Sequence, residues 1–334
     1  MKGKNYFKAL LLRGITKKKN IEFDVKKSSK VLILRYDRIG DMVITTPVFR
    51  ELKLAYPHIK ITVLASKANK AVIVNNPYVD DIITNHKNNF LSDFPSLLKL
   101  RQQKFDVCIE FDHSVVPHAI IRLKIINPKK VISIKKDGRY GVNGNELNMY
   151  DIYIEKLKKR HFRDIWLGLL KPFDIKPKSN EYDLYINDGL KDKAVSFIKK
   201  YPSKLLVGIN LEGAVKGKKI RFSELFKICQ GLYKNNNKIQ ILILTTPNRF
   251  QRVGEKVIDM DLDYVAMSLK TDTIMVAASV ISQLDLIITP DTSISHIASA
   301  FNKPVVTIHE KNQESYYLFA PTSSLNKTVF SNEV

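Results

Sequence analysis

Val31-Leu-Ile-Leu-Arg-Tyr36, followed by Asp37-Arg-Ile-Gly-Asp41 and the stretch Met42 to Tyr56, decides the fold. The first run is apolar without polar alternation, as a strand covered on both faces requires. Asp37 to Asp41 reads as a turn, and Met42 to Tyr56 as a helix stopped by Pro57. The rhythm continues downstream. Ile59 to Ala65, Val79 to Thr84, Asp106 to Phe111 and Val131 to Ile134 read as strands. Lys67 to Asn75, Phe90 to Gln103 and Val115 to Ile126 read as helices between them, and Asn148 to Leu170 as one long helix. Strands alternating with helices predict an α/β fold: a parallel sheet with helices on both faces.

Lys171-Pro-Phe-Asp-Ile-Lys-Pro-Lys-Ser-Asn180 carries the strongest linker signal, with Pro172 and Pro177 as helix breakers. The rhythm then restarts. Strands are expected at Lys204 to Leu211, Ile239 to Thr245, Tyr264 to Met267, Asp285 to Thr289 and Pro304 to His309. Helices are expected at Phe222 to Asn235, Arg249 to Met260, Thr273 to Ser282 and Thr292 to Phe301. The division is therefore a basic extension over 1–29, a doubly wound domain over 30–170, a linker over 171–185 and a second doubly wound domain over 186–334. Two such domains are expected to bound a cleft, with ligands at the carboxyl ends of the strands.

The chain has 334 residues, 44% of them apolar and 26% charged, which excludes a disordered or fibrous protein. Lys and Arg total 55 against 33 Asp and Glu, a net charge of +22. That excess points to an anionic partner: nucleic acid, acidic lipid or phosphorylated substrate. Two cysteines, Cys108 and Cys229, exclude a disulfide framework or a zinc site of several thiolates, and read as buried free thiols. No apolar run reaches the roughly 18 residues of a membrane span, and the start of the chain makes a poor signal peptide. A cytoplasmic protein is expected, peripheral on the inner face of the cytoplasmic membrane. Lys2, Lys4, Lys8, Arg13, Lys17, Lys18, Lys19, Lys26, Lys27 and Lys30 face only Glu22 and Asp24. Tyr6, Phe7, Leu10, Leu11 and Ile15 fall near helical spacing among them. Such a segment suits a helix on anionic headgroups, a solvated tail, or a helix packed on the body.

Three strand-to-helix junctions carry chemistry. At the first, Gly40 is read as the residue that lets the backbone turn, and Asp41 sits at the helix start. A carboxylate there can take a proton from a hydroxyl, or can simply cap the helix. At the second, Asn210-Leu-Glu-Gly-Ala-Val-Lys-Gly-Lys-Lys-Ile-Arg221, Gly213 and Gly217 loosen a loop made cationic by Lys216, Lys218, Lys219 and Arg221. Such a loop suits a diphosphate, although it is not a Walker A sequence, and a solvated lysine-rich loop would look the same. At the third, Asp291, Thr292 and Ser293 open a helix with His296 about one turn in, gathering hydroxyls and free N–H groups into an anion site. Asp261-Leu-Asp263 reads as a surface turn, not a metal site, and the seven histidines show no HxxxH pattern.

Together these junctions resemble glycosyltransferase family 9, the bacterial heptosyltransferase family of lipopolysaccharide core assembly. Arg38-Ile-Gly-Asp41 with Thr45, Thr46 and Pro47 is similar to the family's amino-terminal segment. Asp291-Thr-Ser-Ile-Ser-His296-Ile-Ala-Ser-Ala300 with Pro304 is similar to its carboxyl-terminal one. Asp137-Gly-Arg-Tyr140 and His161 match the middle region, so the resemblance spans residues 30 to 321 in order. It implies a GT-B fold of two Rossmann-like domains, the first binding acceptor and the second nucleotide sugar. It also implies inverting transfer, with no metal and no cofactor beyond the co-substrate, ADP-heptose.

Carried over by position, Asp41 is the base. Arg38, Gly40 and Thr45 lie toward the acceptor, while Gly213, Asp291, Thr292, Ser293 and His296 surround the donor. Lys219 and Arg221 are both candidates for the diphosphate cation, because Lys219-Ile-Arg-Phe222 lacks the family's tryptophan. Ser293 replaces a family glycine, and Thr245-Thr-Pro-Asn248 replaces a Gly-bearing stretch before a nucleoside-contacting glutamate. His309-Glu310 stands where a Phe-Gly pair is usual. The implied partners are the donor, a phosphorylated lipid-linked oligosaccharide and an anionic membrane face, with no specific nucleic acid. Two alternatives stay open: a non-catalytic binder of acidic glycan or nucleic acid, and a sugar-phosphate epimerase of GT-B-like build.

Overall fold

The computed structural model describes residues 2–17, 20–85, 90–157, 159–213, 219–310 and 313–331. The chain forms two compact units. One comprises Met1–Arg38 with Thr45–Glu181, and the other Ile39–Ile44 with Tyr182–Val334.

In the first unit the order is α1 (Lys2–Ile15), β1 (Lys30–Arg35), α2 (Ile39–Ala55), β2 (Lys60–Ser66), β3 (Asp81–Asn85), α3 (Phe90–Gln102), β4 (Val107–Glu110), α4 (Pro117–Ile126), β5 (Lys130–Ile134), β6 (Ile152–Ile154) and α5 (Phe162–Leu167). All six strands are parallel, in the order β3-β2-β1-β4-β5-β6. Val31 to Leu34 and Val107 to Ile109 are buried, as strands at the centre of a sheet covered on both faces must be. Helix α1 joins this core through Ala9 and Leu12, with Ile15 packed beside them.

Tyr182 onward builds the second sheet: α6 (Asp188–Ile198), β7 (Leu205–Asn210), α7 (Phe222–Asn235), β8 (Ile239–Leu244), α8 (Phe250–Ile258), β9 (Val265–Met267), α9 (Ile274–Ile281), β10 (Leu286–Pro290), α10 (Ser293–Ala300), β11 (Val305–Glu310), α11 (Gln313–Phe319) and β12 (Asn326–Ser331). Its order is β12-β11-β10-β7-β8-β9, again parallel, which read backwards repeats the first sheet. In this doubly wound order the chain reverses direction across the sheet beside the first strand. Ligand crevices open there, between β1 and β4 and between β7 and β10. Cys108 and Cys229 are buried free thiols in the two cores, and burial pushes the Cys229 thiol up to about 12.

Three expectations are corrected. Asp37 to Asp41 is not all turn: α2 begins at Ile39, so Gly40 and Asp41 are helical. Lys67 to Asn75 holds only a short 3₁₀ turn over Lys70–Val72. Asn148 to Leu170 is not one helix, because Ile152–Ile154 adds an edge strand to β5 before α5 begins. The segment expected as a linker is held near both ends. Phe173 is fully buried and its carbonyl accepts from Tyr56 Oη at 2.7 Å. Arg50 donates to the carbonyls of Ser179 and Glu181, each at 2.9 Å, and Glu51 accepts from the N–H of Lys178 at 2.7 Å.

Candidate functional site

The first turn of α2 belongs to the second unit, and Gly40 explains why. A Cβ on Gly40 would lie 2.9 Å from His296 Cδ2 and 3.5 Å from the Ser293 Cα. Only a glycine lets the α2 backbone approach α10 so closely. The residue therefore serves packing between helices rather than a turn. Arg38 is exposed and is the N-cap of α2, making no side-chain cap bond. Asp41 is the third helical residue and half-buried, so it is not the cap. A carboxylate in this turn is favoured by the positive end of the helix dipole. Thr45, one turn further along, is fully buried.

Helix α10 starts where β10 ends. Thr292 is its N-cap, and its Oγ1 accepts from the Ile294 N–H at 3.2 Å. Asp291 and Ser293 flank it, half-buried. His296 is only 4% exposed, edge-on to the Tyr182 ring at 6.3 Å and tilted against Phe319 at 6.4 Å. Burial pushes its pKa down to about 4, against the pull of Asp291 and with help from His309. His296 is thus a neutral imidazole at physiological pH, fixed between rings. A Gly40→Ala variant forces a methyl into this immobile ring. It is expected to lose about 1–3 kcal/mol of stability, read from urea unfolding, because a packed interior resists added volume.

A continuous set of hydrogen bonds runs along the carboxyl ends of β10, β7 and β8. Thr289 Oγ1 lies 3.4 Å from Thr292 Oγ1 and accepts from Asn210 Nδ2 at 2.9 Å, which bridges the crevice between β10 and β7. Asn210 Nδ2 also donates to the Glu212 carbonyl at 2.8 Å. The Glu212 carboxylate accepts from Thr245 Oγ1 at 2.8 Å and from the Arg249 guanidinium, and lies 3.7 Å from Lys219 Nζ. One carboxylate therefore aligns two cations at the sheet edge. Gly213 follows it directly in the chain. Arg221 is turned elsewhere: as N-cap of α7 it pairs with Glu224 at 2.8 Å and is largely exposed. Lys216, Gly217 and Lys218 lie outside the described residues.

At the carboxyl end of the first sheet a second polar cluster is buried. Lys136 Nζ donates to the Glu110 carboxylate, which also accepts from Ser133 Oγ at 2.6 Å. Burial alone would raise the Glu110 pKa, but Lys136 and these hydrogen bonds hold it below the usual carboxylate range. Asp112 goes the other way, pushed well up by burial and then by the Glu110 charge. Arg35 stacks on the Trp166 ring at 3.8 Å and pairs with Asp37 at 3.1 Å.

Asp41, Gly40, Asp291, Thr292, Ser293 and His296 thus belong to one unit, and Lys219 belongs there with them. Asn210, Glu212, Thr289 and Arg249 complete the edge and carried no assigned role in the sequence. The one available signal was Glu212 itself, an acid alone in a cationic loop. Asp261 and Asp263 are exposed on a turn, Asp261 with a φ of 50°. Among the described residues, no cluster of three or more His, Cys, Asp or Glu side chains could hold a metal ion, and no helix is long and apolar enough to cross a membrane.

Two parallel doubly wound sheets of this order define the GT-B architecture of glycosyltransferases, and solved relatives share it. A glycosyltransferase family 9 protein from Veillonella parvula superposes with a TM-score of 0.77 at 16% identity, over 92% of this chain and 87% of that one. The Escherichia coli heptosyltransferase WaaC, solved with ADP, gives 0.69 at 15% identity, over 90% and 93%. The same enzyme solved with ADP-2-deoxy-2-fluoro heptose gives 0.67. Residues 97–333 match the family model of glycosyltransferase family 9 (heptosyltransferase), and the chain belongs to that family. Lipopolysaccharide heptosyltransferase 1 of Campylobacter coli is 20% identical over 319 residues, 90% of this chain and 89% of that protein. The protein is accordingly a glycosyltransferase, which sets aside the reading as a non-catalytic binder.

Proposed function

We propose that the protein transfers a heptose or closely related sugar from a nucleotide diphosphate donor, ADP-heptose, to a lipopolysaccharide or lipooligosaccharide core, with inversion and without a metal. The observation that carries this reading is the seating of the Asp41 turn against α10 through Gly40 and His296. A proton acceptor and a helix amino terminus suited to a diphosphate belong to one packed unit. In the step proposed, the Asp41 carboxylate takes the proton of the acceptor hydroxyl. The hydroxyl oxygen bonds to the anomeric carbon as the bond from that carbon to the phosphate oxygen breaks. The nucleotide diphosphate leaves with both electrons, and configuration inverts because attack and departure use opposite faces of the sugar.

The departing charge needs fixed donors in place. Thr292, Ser293 and the N–H groups of α10 supply them, and Lys219 supplies a cation. Lys219 is preferred to Arg221, whose guanidinium is committed to Glu224 at the start of α7. His296, buried beside the start of α10, holds that turn against α2 next to the donor. Gly213 gives the loop room beside the donor, and Arg38, exposed before α2, is assigned to the acceptor side. The net charge of +22 suits an acceptor bearing phosphates.

The test is a thermal-shift panel of ADP-, UDP-, GDP- and CDP-sugars, since a ligand bound only by the native state raises Tm with its affinity. ADP-heptose is expected to give the largest rise. Lys219→Ala is expected to lose most of that rise, and Arg221→Ala to keep it. A panel in which no nucleotide sugar moves Tm refutes the donor reading, and equal losses in both variants refute the choice of Lys219.

A further inference from the structure

Helix α1 has two apolar faces, and the fold buries one of them. Ala9 and Leu12 are buried in the core of the first unit, and Ile15 packs at its margin. Phe7, Leu10 and Leu11 fall on the other side of the helix, at spacings of three and four residues, and are 76%, 52% and 62% exposed. A cluster of three large apolar side chains on successive turns of a water-facing helix marks a contact surface.

The helix cannot roll to hide them. Arg13 is tied to Glu146 through Nε at 2.9 Å and Nη2 at 2.6 Å. The Lys8 ammonium lies over the Tyr140 ring, 4.4 Å from its centre, and Lys124 Nζ donates to the Lys17 carbonyl at 2.7 Å. The segment is also of one sign. Lys2, Lys4, Lys8, Arg13 and Lys17 occur before the first acidic residue of the chain, Glu22.

That combination selects the occupant. The core of a protein–protein contact disfavours lysine, whereas a bilayer surface accepts it. Long cationic side chains lie along the interface with their heads at the phosphates while Phe and Leu enter the acyl boundary. We propose that the Phe7–Leu10–Leu11 face of α1, with the lysines of the same segment, docks the protein on an anionic phospholipid bilayer. The inference does not depend on the donor or on the chemistry of transfer.

The experiment is flotation of the full chain with vesicles of phosphatidylcholine alone, or of phosphatidylcholine with roughly a third phosphatidylglycerol. The wild type is expected to float with the anionic vesicles only. The variant Phe7→Ser/Leu10→Ser/Leu11→Ser is expected to bind them at least ~10-fold more weakly, as the apolar share of interfacial binding is removed. Its Tm and its nucleotide-sugar thermal shift should match the wild type, because those side chains already face solvent. Lys4→Gln/Lys17→Gln is expected to weaken binding at low salt and to flatten its salt dependence. Wild-type protein that ignores anionic vesicles, or a triple-serine variant that floats like the wild type, overturns the proposal. So does a triple-serine variant that only changes sedimentation from oligomer to monomer, which would assign the face to a second copy of the chain.

Discussion

Asp41→Asn is expected to lower kcat for sugar transfer by about 10²–10⁴-fold, the usual contribution of a positioned general base. The substitution keeps the shape of the side chain and removes its capacity to take a proton. Asp41 lies in the first turn of α2, after the Arg38 cap. The weakened interaction with the helix dipole costs only about 0.3–1 kcal/mol. Donor binding, followed by thermal shift, should be close to wild type, because the diphosphate is assigned to α10 and Lys219. A variant that keeps full turnover removes Asp41 from the reaction. One that loses turnover and donor binding together makes the residue structural.

The largest effect on stability is expected from Lys136→Met. Lys136 and Glu110 are both buried and paired, and Lys136 also donates to the Asp112 carbonyl. Removing one partner of a buried ion pair leaves an uncompensated charge and costs about 3–5 kcal/mol. With roughly 2–4 °C of Tm per kcal/mol in a unit of this size, the melting temperature should drop by about 10 °C. Glu110 would then be pushed upward by burial with little to oppose it. The double variant Lys136→Met/Glu110→Gln should recover part of the loss, since neither position then carries a charge. Urea unfolding of the single and double variants measures this directly. If the single variant is as stable as wild type, the pair contributes nothing to the fold.

The doubly wound repeat was legible because Val31 to Leu34, Leu206 to Ile209 and Ile287 to Ile288 are buried runs without charged or polar side chains, followed by Arg35, Asn210 and Thr289 toward the carboxyl edge of the sheet. Such runs are local signals. Ile152–Ile154 was not legible, because three residues carry no period of their own and become a strand only by pairing with Ile132 to Ile134. The edge strand Asn326–Ser331 is hidden for a related reason: four of its six residues are polar and most of it is exposed. Gly40 is required for a reason its local sequence does not carry. Its requirement comes from a histidine ring far away in the chain, and no local rule reports that. The helix start at Thr292 was readable from its own cap. The alignment of Lys219 and Arg249 by Glu212 was not, since it joins the ends of two neighbouring strands.

Both native thiols lie inside the sheets' cores, and that placement makes the chain ready for single-site labelling. A maleimide dye has no access to Cys108 or Cys229, so one cysteine introduced at the surface would react alone without first removing the natural pair. Gly14 suits the purpose, since an added side chain there meets no atom within 4 Å. An environment-sensitive fluorophore at that position would report, in real time, the polarity next to the amino-terminal helix.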